Sequence, residues 1–271
     1  MKAKEKLIKR SAKGYHICVG LDTDINKIPK HLLTYADPVF EFNKRIIEAT
    51  SSSAAAYKIN FAFYETYGSK GFDSLKKTIE LIPADVLTIG DAKRGDIGNT
   101  SQMYASSVFE HFGFDAITLH PYMGKDSLQP FMDYDDKLNF VLALTSNQGA
   151  YDFEKQKLED GTMLFQKIIS KVVEWNEKGN CGFVFGATKI EELKENISLF
   201  RGLPVLLPGV GAQGGSLEDT VRIFESNNHT SYLINISRAL IYCNSSEKFE
   251  DSVTAALDDY NKIICEIKKS V

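Results

Sequence analysis

Residues Gly90 to Thr100 read Gly-Asp-Ala-Lys-Arg-Gly-Asp-Ile-Gly-Asn-Thr and set alternating opposite charges directly after the apolar run Val86 to Ile89. In an extended segment side chains two apart share a face, so Asp91 and Lys93 are expected to project together where the strand leaves the core. At the effective dielectric of a partly buried site such charges interact by on the order of 4 kcal/mol at ~4 Å. That is enough to tune a reactive group. The plainer reading is a hydrated loop between strand and helix, with Asp96 or Asn99 as an N-cap and both cations solvated.

Lys58 offers a second choice of the same kind. Within Ala55-Ala56-Tyr57-Lys58-Ile59-Asn60-Phe61 it is either an edge-strand charge reaching solvent or, in a closed barrel without edges, an ammonium that must be paired at the rim. Asp91 is the natural partner. The run Pro208 to Gly215 is glycine-rich and is followed at Ser237-Arg238 by a guanidinium. Alone the glycines could be a flexible turn; placed after adjacent strands of a barrel, the loop and Arg238 would grip a phosphate. His16, His31, His111, His120 and His229 each lack a second candidate ligand nearby and are read as structural.

Positioning these groups requires a scaffold, and the hydrophobic pattern supplies one. Apolar or β-branched runs at Tyr15 to Leu21, Ala54 to Phe61, Val86 to Ile89, Ala116 to Leu119, Asn139 to Leu144, Gly182 to Phe185, Pro204 to Leu207 and Tyr232 to Ile236 are expected strands. Helical periodicity marks Phe40 to Thr50, Phe72 to Leu81, Thr100 to Phe112, Met163 to Lys178, Ile190 to Phe200, Leu217 to Asn227 and Phe249 to Lys268. Alternation of this sort implies a parallel sheet with right-handed crossovers, either doubly wound or closed. Eight strand candidates favour an α/β fold of the (β/α)8 TIM barrel type, and the polar residues at the strand C-termini then share the face on which such barrels build their sites.

The 271 residues, 43% hydrophobic and 25% charged, fit one barrel domain over 1–271, since that fold takes about 250 residues. A formal net charge of -4 gives no general attraction for nucleic acid or anionic membranes. Cys18, Cys181, Cys243 and Cys265 show neither C-x-x-C spacing nor paired histidines, which argues against a zinc site or disulfide framework and for a reducing cytoplasm. Neither a secretory leader nor a membrane span is expected from the apolar runs.

The Asp91 to Thr100 string resembles the D-x-K-x-x-D-I-x-N-T signature of the orotidine 5′-phosphate decarboxylase family, in the subgroup that reads D-A-K-R-G-D-I-G. Val19-Gly20-Leu21-Asp22, Tyr57-Lys58-Ile59-Asn60, Leu144-Thr145-Ser146-Asn147, Pro208 to Gly215 and Ser237-Arg238 follow the same family order. The resemblance implies decarboxylation of orotidine 5′-monophosphate to uridine 5′-monophosphate, the last step of de novo pyrimidine synthesis, without metal or organic cofactor, in a homodimer. Carried over, Lys93 resembles the proton donor to C6 and Asp91 the carboxylate beside the substrate carboxylate. Lys58 and Asp22 are similar to the residues that orient the ribose, with Asn60 beside them among the substrate-binding positions. Asp96, Ile97 and Thr100 match positions given by the neighbouring subunit, Ser146 the pyrimidine-amide contact with Asn147 a further substrate-binding position, and Gln213 and Arg238 the phosphate contacts. Gln148 stands where the family pattern is expected to carry proline, which bears on the stiffness of that loop. A magnesium-dependent phosphosugar decarboxylase and a non-catalytic nucleotide-binding barrel are the competing readings; no phosphoribosyltransferase motif for a fused UMP synthase is seen.

Overall fold

Eight parallel strands close in sequential order into a barrel: β1 (Ile17–Gly20), β2 (Ala56–Asn60), β3 (Leu87–Arg94), β4 (Ala116–Leu119), β5 (Leu138–Leu144), β6 (Cys181–Phe185), β7 (Val205–Pro208) and β8 (Tyr232–Ile236). The helices are α1 (Ala3–Ser11), α2 (Pro38–Thr50), α3 (Ala62–Glu65), α4 (Gly68–Leu81), α5 (Gly98–Ser106), α6 (Lys125–Met132), α7 (Leu164–Trp175), α8 (Ile190–Asn196), α9 (Leu217–Ser226), α10 (Arg238–Ile241) and α11 (Phe249–Ser270). This computed structural model describes residues 1–186, 190–209 and 215–271.

Alternation along each strand divides the core into two compartments. Cys18, Ala56, Leu87, Ile89, Ala116, Phe140, Val184, Leu206 and Leu233 pack against one another in one cluster, whereas Val19, Tyr57, Ile117, Val141, Phe183, Val205 and Ile234 join the cluster shared with the helices. The first set therefore fills the barrel and the second faces the helical ring, as period-two side chains in a closed sheet require. The same parity continued toward the strand C-termini puts Lys58 above Ala56, Asp91 above Ile89 and Thr118 above Ala116.

Helix α1, which the hydrophobic pattern did not mark, closes the opposite end. Ala3 and Leu7 belong to the barrel-filling cluster, Lys6 pairs with Asp115 at 2.7 Å, and Arg10 reaches the Ser51 and Ser52 carbonyls and Asp85. All these partners precede β2, β3 or β4, so the cations Lys6 and Arg10 anchor α1 to the barrel. Helix α6 was also missed, because Pro130 inside it interrupts a helical reading. The helix expected over 100–112 ends its α-helical turns at Ser106 and continues as a π-helical turn over Ser107–His111. That expected over 190–200 closes in a 3-10 turn, Ile197–Phe200.

Strand β3 differs most from expectation. Instead of ending at Ile89 it runs through the charged motif to Arg94. Its register with β4 jumps from Gly90↔Ile117 to Arg94↔Leu119, so extra residues of β3 bulge opposite Thr118. Bulges of this kind re-aim side chains next to functional sites.

Candidate active site

The bulge carries Asp91 and Lys93 into the mouth of the barrel. Lys93 has a left-handed backbone, φ 48°, so its convergence with Asp91 is not the simple sharing of a strand face expected from the sequence. A left-handed non-glycine residue costs roughly 1–2 kcal/mol and persists only where its surroundings enforce it. The Lys93 ammonium nevertheless meets Asp91 Oδ1 at 2.6 Å, while Lys58 Nζ donates to Asp91 Oδ2 at 2.9 Å and lies 3.4 Å from Asp22 Oδ1.

The four charges alternate in sign as Asp22, Lys58, Asp91, Lys93. Lys58 is 4% exposed and Asp91 9%, whereas about half of the Lys93 side chain is open to solvent. Burial by itself would raise the Asp91 carboxyl, but Lys58 and then Lys93 outweigh it and hold it well below the usual carboxylate range. Burial would likewise lower Lys58; the Asp22 and Asp91 carboxylates outweigh it and push its ammonium above the ordinary lysine range. The Lys58–Asp91 pair is thus ionised at neutral pH, and the accessible cation Lys93 stands at the end of the array.

That cation faces a cavity of about 240 Å³ whose polar wall includes Lys58, Asp91, Lys93, Thr118, Ser146 and Asn147. Leu142, Val184 and Leu206 supply an apolar side, continuous with the barrel filling below it. A flat, partly polar ring with an anionic substituent suits such a space: the ring rests on apolar atoms and the substituent meets fixed charges.

The loop after β5 needs no proline to be held. Gln148 opens a 3-10 turn, Gln148–Tyr151, and the Glu154 carboxylate accepts from the Thr145 N–H at 2.7 Å and lies 2.9 Å from its hydroxyl. Thr145 Oγ1 is in turn 2.6 Å from Asn147 Oδ1. Side-chain hydrogen bonds thereby restrain the segment carrying Ser146, the role that a fixed proline φ was expected to fill.

Other expected residues are distributed differently. Asn60 sits at the end of β2, where its Oδ1 accepts from the Ala62 N–H and caps the turn into α3. Asp96 does not act as an expected side-chain N-cap: α5 begins at Gly98 after Ile97 with no side-chain cap, Asn99 included, and Asp96 Oδ1 accepts from the adjacent Ile97 N–H. Among the described residues no hydrogen bond or ion pair joins Asp96 to Asp91, Lys93 or Lys58, and Ile97 is 59% exposed; Thr100 is exposed as well. Arg238 is the exposed first residue of α10, at the same barrel face as the ends of β1 and β8, where Ser237 donates to the Gly20 carbonyl. Gln213 lies outside the described residues.

Two contributors were not anticipated. Thr118 is fully buried and donates to Asp91 Oδ1 at 2.9 Å; strand parity was the signal, since it follows Ala116 as Asp91 follows Ile89. Glu154 had no such signal, because its contact with Thr145 spans a loop of irregular backbone. Among the described residues no cluster of three or more His, Cys, Asp or Glu could hold a metal ion, and no helix is long and apolar enough to cross a membrane.

Known proteins resemble this chain in sequence and in fold. A family model described as Orotidine 5'-phosphate decarboxylase / HUMPS family matches residues 15–248. Orotidine 5'-phosphate decarboxylase of Christiangramia forsetii is 47% identical over 269 residues, 98% of this chain and 97% of the relative. The structure of Leishmania donovani OMP decarboxylase superposes with a TM-score of 0.83 at 36% identity, covering 98% of this chain and 99% of that one. Leishmania donovani UMP synthase gives 0.85 at 37% identity; 97% of this chain is covered but 57% of that one, so the chain spans little more than half of the larger protein. Because the matched span runs from just before β1 to beyond β8 and takes in every strand that bears the charged array, the chain belongs to the orotidine 5'-phosphate decarboxylase / HUMPS family.

Proposed function

We propose that this chain decarboxylates orotidine 5′-monophosphate to uridine 5′-monophosphate and carbon dioxide, the last step of de novo pyrimidine synthesis, with residues 1–271 acting as one barrel domain. The observation that carries the reading is the Asp22–Lys58–Asp91–Lys93 array, buried at Lys58 and Asp91 and ending with Lys93 at an apolar-sided cavity. The bond between C6 and the carboxylate breaks, its electron pair remains on C6, and Lys93 Nζ delivers a proton to that carbon as carbon dioxide leaves. Charge moves onto a poorly delocalised carbon, so fixed dipoles and charges that favour the transition state over the substrate supply the rate. Asp91 holds Lys93 oriented and lies beside the substrate carboxylate, Lys58 and Asp22 orient the ribose with Asn60 close by, and Ser146 and Asn147 meet the pyrimidine. Those steps use side chains alone, and we assign no metal or organic cofactor. The four cysteines are free, which suits a reducing cytoplasm; cell fractionation would test that placement.

Arg238 and Gln213 would hold the phosphate, Arg238 through a forked, charge-assisted contact. Wild-type protein should therefore consume orotidine 5′-monophosphate in a spectrophotometric assay, with chelator present. Arg238→Ala should lower kcat/KM by at least about 100-fold, the equivalent of losing roughly 3 kcal/mol of transition-state stabilisation, yet barely change turnover of orotidine, which lacks the phosphate. Equal slowing on both compounds would assign Arg238 to the fold, and dependence on added magnesium would favour the phosphosugar reading instead.

Asp96, Ile97 and Thr100 would serve the neighbouring site of a homodimer. Support comes from the absence, among the described residues, of any hydrogen bond or ion pair joining Asp96 to the array, and from exposed Ile97 just before α5, Met103 on α5 and Tyr122 in the loop before α6, with α5 tied to α6 by the Ser101–Ser127 hydrogen bond. Mixing inactive Lys93→Ala with inactive Asp96→Ala protein should then restore activity. Random exchange makes half the dimers hybrid, each with one intact site, so about one quarter of wild-type activity is expected. No recovery after verified exchange would place both residues in one subunit's site.

A further inference from the structure

We propose that Thr118 is a positioning residue for the proton donor, its single hydroxyl fixing both the Asp91 carboxylate and the left-handed backbone turn that aims the Lys93 ammonium. The inference rests on the decarboxylase reading for its kinetic arm. Its geometric basis does not.

Thr118 Oγ1 accepts the Lys93 backbone N–H at 3.0 Å and donates to Asp91 Oδ1 at 2.9 Å. A hydroxyl has one hydrogen, so accepting from an N–H leaves that hydrogen for the carboxylate and settles the polarity of the link. Asp91 Oδ1 thus receives Thr118 and Lys93 Nζ while Oδ2 receives Lys58. With both oxygens engaged, the carboxylate plane is defined from three strands, β2, β3 and β4. Rotation of that plane would break at least one contact.

The backbone half of the link is as specific. The register jump between Gly90 and Arg94 removes the Lys93 N–H from the ordinary β3–β4 ladder, and Thr118, 2% exposed, supplies the acceptor the ladder no longer offers. A part-buried donor left without one is costly, and Lys93 already bears an unfavourable φ of 48°. Without the hydroxyl, the bulge would relax toward extended backbone and swing the ammonium off Asp91. Near-neighbour packing does not require a hydroxyl here: valine has the same shape.

The test is Thr118→Val beside Thr118→Ser, assayed with wild type. Thr118→Val should lower kcat about 10- to 100-fold, since displacement of a reacting group by ~1 Å has that scale of effect. KM and the affinity for uridine 5′-monophosphate should stay within about threefold, because the hydroxyl, although at the cavity wall, is engaged by Asp91 and the Lys93 N–H rather than offered to bound nucleotide. Thr118→Ser should recover most of the rate. A crystal structure of Thr118→Val should show Lys93 outside the left-handed region and its Nζ withdrawn from Asp91. If the valine variant fails to fold, Thr118→Ala carries the same measurements. Wild-type kcat in the valine variant, or no recovery with serine, would overturn the proposal. So would an unchanged Lys93–Asp91 geometry in the variant crystal, which decides the matter even if wild type proved inactive on orotidine 5′-monophosphate and the decarboxylase reading fell.

Discussion

Lys93→Ala is expected to abolish measurable decarboxylation, with kcat falling by at least about 10⁴-fold, or roughly 5 kcal/mol of barrier. The size follows from two losses at one atom. On the proposed mechanism the ammonium is both the nearest cation to the developing carbanion and the source of its proton, and Lys58 would not take its place: Lys58 is held at the other oxygen of Asp91, buried below the cavity mouth. Stability should change little, within about 1 kcal/mol, because the half-exposed Lys93 ammonium is screened by solvent, Asp91 keeps Lys58 as its partner, and alanine meets the same left-handed backbone as lysine. Single-turnover assays with a thermal melt check both statements. Retention of more than about 1% of wild-type kcat would be too much for a residue charged with both tasks.

Asp91→Asn should cost about 10³- to 10⁴-fold in kcat/KM and, unlike Lys93→Ala, should also destabilise the chain. The buried Lys58 ammonium would keep Asp22 at 3.4 Å but lose its closer partner, and breaking a buried pair from one side is worth about 3 kcal/mol. The stability gap has a defined pH dependence. Asp91 is depressed in the folded chain, so its contribution is present above the unfolded value, about 3.9, and is lost as pH falls below that toward the folded one. Denaturant titrations should show the wild-type advantage at pH 7 narrowing below about pH 4. Binding should move the opposite way: removing the negative charge relieves repulsion of a carboxylated nucleotide, so orotidine 5′-monophosphate should gain affinity relative to uridine 5′-monophosphate. Equal weakening of both nucleotides would remove the carboxylate of Asp91 from the neighbourhood of the substrate carboxylate.

Both effects depend on features of unequal legibility. The barrel was readable because its strands are local apolar runs whose spacing survives any tertiary arrangement: Ala116 to Leu119 and Tyr232 to Ile236 match β4 and β8 at both ends. Helix α1 was not readable, since Lys6 and Arg10 look like solvated charge until the segments before β4 and β3 bring Asp115 and Asp85 to them. Helix α6 was hidden by Pro130, which tertiary packing tolerates and propensity does not.

The sequence by itself determined the strand alternation, the identity of the charges and the pairing of Lys58 with Asp91, because residue type and period-two spacing are local properties and a closed barrel leaves a buried lysine few partners. Tertiary structure alone decided how Lys93 reaches Asp91. That contact depends on a register jump between β3 and β4, a left-handed residue and a threonine 25 positions away, none of which a linear pattern encodes. Hydrogen-bond partners across strands are set by register, and register is a property of two segments at once.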